Sequence, residues 1–147
     1  MRPNQHIEDK QQDFFLVRLE DIINKNHELV HLTHNIDWKL LDEHFGKFFA
    51  QAGRPGVPNR LMVGLHLLKH IYNLSDEAVC ERWIENPYYQ YLCGEAFFKH
   101  WLDMERSSMT HWRKRVGDES LQKLLQESLH IALKSKAIKP KDLQRIV

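Results

Sequence analysis

The chain is poor in the features that mark several large protein classes. It has two cysteines in 147 residues, Cys80 and Cys93. Both sit inside apolar helical patterns, which fits reduced core residues and argues against a disulfide-built secreted scaffold. No apolar run approaches the roughly 20 residues that a membrane helix needs. The polar start, MRPNQHIEDKQQD, lacks the apolar core of a signal peptide. A cytoplasmic protein is the expectation. There is no Gly-rich phosphate loop and no serine or cysteine nucleophile with an identifiable base partner. Internal repeats, low-complexity tracts and alternating strand patterns are missing as well. The chain therefore carries no recognisable active site of its own.

Net charge gives little, at +1, but its distribution says more. Residues 1–53 hold six cations and nine anions, whereas residues 107–147 hold nine cations and four anions. A polyanionic partner is expected to meet the C-terminal half.

What is present is helical periodicity. Residues 14–24 (FFLVRLEDIIN) predict an amphipathic helix burying Phe15, Leu19, Ile22 and Ile23, followed by a shorter helical piece around residues 27–34. Asp37 is placed to cap a helix over residues 38–50, with Leu40, Leu41, Phe45, Phe48 and Phe49 inward. Residues 53–59 (GRPGVPN) break the pattern, because two glycines and two prolines forbid a continuous helix. The next helix runs to about Tyr72 with Leu61, Leu65, Leu68 and Tyr72 as its stripe. Ser75 caps another, buried through Val79, Cys80, Trp83 and Ile84. Asn86-Pro87 then starts a short aromatic helix ending at Gly94. A connector over residues 95–106 should pack through Phe97, Phe98 and Trp101. Asp118 is placed to cap a long helix to about Ala137, with Leu121, Leu125, Leu129, Ala132 and Leu133 inward. The expected fold class is all-α, a multi-helix bundle. It divides into an N-terminal helical segment (1–52), a Gly/Pro turn (53–59), the bundle (60–137) and a final stretch (138–147).

One stretch has the makings of a nucleic-acid reader. Residues 107–117 (SSMTHWRKRVG) begin with hydroxyl caps and end on a glycine stop. Met109, Trp112 and Val116 fall at i, i+3 and i+7, so one stripe holds the helix down. Thr110, Arg113 and Lys114 fall together on another face. With the helix over residues 75–86, it forms a candidate helix-turn-helix-like DNA-binding unit with a long aromatic connector. Arg113, Lys114 and Arg115 are the candidate phosphate or base contacts, and Thr110 and His111 the candidate base readers. The competing reading is that cations in a last helical turn merely offset the helix dipole.

Other patterns carry less. Gly53-Arg54-Pro55 resembles a minor-groove hook without its basic flanks, and reads better as a turn. His66 and His70 have zinc-chelating i, i+4 spacing, but no third ligand is evident and no metal site is assigned. Carboxylate pairs such as Asp76/Glu77 and Glu81/Glu85 read as solvated charge. The aromatic run from Trp83 to Trp101 reads as core rather than as a base-stacking platform.

The segment GRPGVPNRLMVGLHLLKHIYNLSDEAVCERWIENPYYQYLCGE, followed by SSMTHWRKRVG, resembles the N-terminal domain of InsH-type transposases of the insertion sequence 5 group. The resemblance covers about residues 37–147. It implies a DNA-binding, non-catalytic part of a bacterial transposase at the nucleoid. In that family this helical domain recognises terminal inverted repeats in double-stranded DNA, and a separate ribonuclease-H-like domain cuts and joins DNA with a carboxylate triad and magnesium. The first catalytic aspartate follows the segment matching KPKDLQRIV, so no catalytic residue and no cofactor is expected on this chain. A truncated or excised domain is the corresponding expectation. The alternative is a helical dimerisation module, forming a homo-oligomer or a mixed oligomer that regulates intact transposase.

Overall fold

The computed structural model describes residues 16–46, 58–105 and 107–134. Eight consecutive buried residues, 61–68, set its architecture. They lie in α4 (Asn59–Tyr72), and a helix buried on every side must be the centre of the bundle. Each large apolar side chain sunk there stabilises the fold by about 1.5–3 kcal/mol. Around α4 are α1 (Leu19–Ile22), α2 (Glu28–Asn35), α3 (Trp38–Gly46), α5 (Asp76–Glu85), α6 (Pro87–Leu92), α7 (Ser107–Val116) and α8 (Asp118–Lys134). The fold is all-α, with no strand among the described residues.

One core runs through the described bundle. Leu29, Leu32, Leu41 and Phe45 from before the Gly/Pro stretch join Leu65, Leu68, Trp83, Met109, Trp112, Leu121 and Leu125 from after it. Packing is close at Gly64, where a Cβ would fall 2.6 Å from Cys93 Sγ. Cys93 and Cys80 are both buried and unbridged, as expected of core thiols.

Local punctuation follows the sequence at most joints. Asp37 Oδ1 accepts the Leu40 N–H at 3.1 Å, and Ser75 Oγ accepts that of Ala78 at 3.1 Å. Asn73 ends α4 in the left-handed region at φ 53, where a short polar side chain is tolerated. Asn86 Oδ1 caps α6 by accepting from Tyr88 and Tyr89, with Pro87 in the first turn.

Four expectations are corrected. The first helix is only one turn, and Ile22 is exposed, because Arg18 is extended and bridges to Phe97, so the helix starts only at Leu19. That bridge has Leu19 N–H donating to Ala96 at 2.9 Å and Phe98 N–H donating to Val17 at 2.8 Å. Leu40 and Trp101 face solvent, each more than half exposed. α7 begins at Ser107 itself, so Ser107 and Ser108 stand inside it and not at its cap. α8 likewise starts at Asp118, and Gly117, at φ 88, closes α7 and opens α8 at once. Phe15, Phe48, Phe49, residues 53–57 and the tail beyond 134 lie outside the described residues, as do the side chains of Ala132 and Leu133.

The connector between α6 and α7 owes its course to one buried amide. Gln90 is fully buried; its Nε2 donates to Trp83 O at 3.0 Å and Lys99 O at 2.8 Å, while its Oε1 accepts Lys99 N–H at 2.8 Å. All three groups would be left unpaired by an apolar side chain. With the bridge to residues 17–19, this amide fixes where the chain re-enters the bundle as α7.

Candidate nucleic-acid interface

α7 is fastened to the bundle in two ways. The first is the predicted stripe: Met109, Trp112 and Val116 are all buried. Met109 Sδ meets the Cys80 thiol of α5 at 3.7 Å, and the Trp112 ring lies 5.1 Å from Phe45 and 5.0 Å from His66. The second is ionic, and periodicity gave no sign of it. Arg113 Nη1 and Nη2 donate to the two carboxylate oxygens of Asp76, at 2.8 Å each. This is the parallel fork geometry that suits guanidinium to carboxylate.

Asp76 also accepts from Lys69 of α4, so one carboxylate joins three helices. Burial raises its pKa, but hydrogen bonds from Arg113 and Lys69 and the charges of both outweigh burial and hold it down at about 2. His66 completes the cluster. Its Nδ1 lies 2.7 Å from Met62 O, a carbonyl that only accepts, so Nδ1 carries the proton. Nε2 therefore presents a lone pair to Arg113 Nη1 at 3.3 Å. Burial drives the His66 pKa down to about 4, outweighing the Met62 hydrogen bond, and the charges of Arg113 and Lys69 lower it further. Both ring nitrogens are thus committed, and His70 is exposed. No group of three metal-ligating side chains occurs among the described residues.

The candidate site residues divide into two sets. Thr110 and Arg113 are half-buried and turned towards Asp76, with Arg113 Nη2 donating to Thr110 Oγ1 at 3.3 Å. His111, Lys114 and Arg115 are exposed at i, i+3 and i+4, on the side away from the buried stripe. Lys114 lies with His111 on this outer face, not with Thr110 and Arg113. Asp76 is the residue that sequence reasoning missed. With Glu77 it read as solvated charge, and nothing local reveals a partner 37 residues away.

Beside this geometry stand the relatives. The transposase domain family (DUF772) matches residues 17–115, which include all of α7 but Val116, with the Arg113–Asp76 fork that fastens it. The chain belongs to that family. It is also 47% identical over 146 residues to a protein of Rhizobium meliloti named as the uncharacterized protein ORF8 in the nfe locus, covering 99% of this chain and 70% of that one. No solved structure matches it. This transposase-family domain has no helix, among its described residues, long and apolar enough to cross a membrane.

Proposed function

We propose that this domain binds double-stranded DNA, recognising the terminal inverted repeats of a mobile element through α7, and takes no catalytic part itself. The observation that carries the reading is the division of α7. Its inner side is fixed by an apolar stripe and the Arg113–Asp76 fork, while His111, Lys114 and Arg115 face outward. A rigidly seated helix with cations on its free face suits entry into a major groove. Lys114 and Arg115 meet phosphates, His111 faces base edges, and Arg113, joined to Asp76 and Thr110, sets the angle at which the helix is presented. α5 and α7 form the helix-turn-helix-like pair, with the Gln90-pinned connector in place of a tight turn. The sequence resemblance to InsH-type enzymes of the insertion sequence 5 group supports the choice of inverted repeats as target. On this reading, cutting and joining with magnesium belong to a ribonuclease-H-like domain.

The test is a fluorescence-anisotropy titration with duplex from the ends of the element and with a scrambled duplex, at two salt concentrations. Tighter binding to the end duplex at both salts is expected. Equal, salt-sensitive binding to both would remove specificity from this domain. Absence of binding, with a concentration-dependent dimer in light scattering, would replace the reading with the dimerisation module.

A further inference from the structure

A second cluster of cations lies away from α7. Arg60, in the first turn of α4, lies with its guanidinium 4.5 Å from the centre of the Trp38 ring. Trp38 is itself fixed, since its indole N–H donates to Thr33 O at 2.9 Å. On the other side Arg60 runs over Gly94, where a Cβ would fall 2.7 Å from Arg60 Cδ and 2.9 Å from Nε and would displace the arginine. Gly94 also has φ +90, which favours glycine. Arg60 Nε is buried without a hydrogen-bond partner, and no carboxylate among the described residues pairs with the guanidinium. A half-buried, unpaired charge is costly to keep. Its pKa is pushed down by burial, which outweighs the upward effects of Cys93 and Tyr91.

The guanidinium opens on a cleft of about 440 Å³ between α2, α6 and residues 94–96. Arg18 stands on its rim, its backbone held by the bridge to Phe97, and its side chain makes no ion pair among the described residues. His34 and the Tyr91 hydroxyl, 3.2 Å apart, add polar groups on the opposite wall. Two acids also line the cleft: Glu95, which is paired with Lys99 at 3.0 Å, and the exposed Glu20. The size is in the range of small-ligand pockets, enough for a phosphate with its attached sugar.

We propose that this cleft binds a phosphate group, held by the Arg60 and Arg18 guanidinium forks with the Tyr91 hydroxyl as a further donor. The phosphate belongs either to a DNA strand or to a free nucleotide. The site rests on the cleft alone and not on the reading of α7.

The experiment is a titration of the ¹⁵N-labelled full chain, followed by NMR, with inorganic phosphate at constant ionic strength and with chloride as the reference anion. The Arg60 Nε–H, Trp38 Nε1–H and Gly94 N–H resonances are expected to move saturably with phosphate. R18Q, a change on the exposed rim that spares the fold, is expected to weaken this binding about tenfold, the value of a charge-assisted pair. R60Q is expected to abolish it, with circular dichroism confirming the fold. The response should survive K114A/R115A, so a failure of α7 to bind DNA leaves this result standing. Saturation by duplex DNA at lower concentration than by a mononucleotide would make the phosphate a backbone contact, and the reverse order would make it a nucleotide's. Shifts that chloride reproduces, or that R18Q leaves unchanged, would overturn the proposal.

Discussion

Replacing Asp76 with asparagine removes one charge from the point where α4, α5 and α7 meet. Arg113 then loses both partners of its fork, and Lys69 loses its carboxylate partner, while each stays about three-quarters buried. The fall of the Asp76 pKa from 3.8 to about 2 corresponds to about 2.5 kcal/mol at full strength. About a quarter of the carboxylate remains open to solvent, and screening reduces this to about 1–2 kcal/mol. Because the folded pKa is the lower one, that stability is fully present above about pH 4 and is lost as pH falls through about 2. D76N should therefore be about 1–2 kcal/mol less stable than wild type in urea denaturation at pH 7, and the gap should close towards pH 2. Part of the loss should disappear when Arg113 is replaced as well, since a double-mutant cycle isolates the pair. Equal stabilities at pH 7, or a gap unchanged at pH 2, would refute the argument that this carboxylate seats α7.

Three other outcomes follow from the same packing. His66 has a pKa of about 4 when folded and 6.5 as its ordinary value, so the unfolded chain binds the extra proton between them. Its contribution is present above pH 6.5 and lost on descent to pH 4, worth about 3 kcal/mol; in H66Q, urea melts across that range should lose this slope. G64A gains helix propensity, yet its methyl meets Cys93 Sγ and Cα in a closed core, so a net loss of about 1–3 kcal/mol is expected by thermal melting. Burial pushes the Cys93 thiol pKa well up, and both thiols are enclosed, so a thiol reagent should label Cys80 and Cys93 only as fast as the chain unfolds.

What was legible in the sequence was what depends on near neighbours. Ser75, Asn86-Pro87 and Gly117 act within a turn of themselves, and their roles followed from residue type. The Met109, Trp112 and Val116 stripe was read in full, because one buried face on an otherwise polar helix produces a clear period. α4 was read too narrowly. Leu61, Leu65 and Leu68 were expected to form a stripe, but Met62, Val63, His66 and Leu67 are buried as well. A helix enclosed on all sides has no polar face from which to measure a period. The first helix was misjudged for the opposite reason: the residues before Leu19 fit its helical spacing, but pairing with residues 96–98 holds Arg18 extended and delays the helix to Leu19. The Arg113–Asp76 fork, the Gln90 amide and the Arg60 cleft all join residues that are distant or typed for other tasks. Local pattern has no access to such pairs.

The direct test of the central claim is the salt dependence of duplex binding by wild type and by K114A/R115A, with circular dichroism showing that both remain folded. Each lost phosphate contact should lower the log–log salt slope by about one, so the variant should fall by about two and bind more weakly at every salt. An unchanged slope and affinity in a folded variant would mean that the outer face of α7 does not meet DNA.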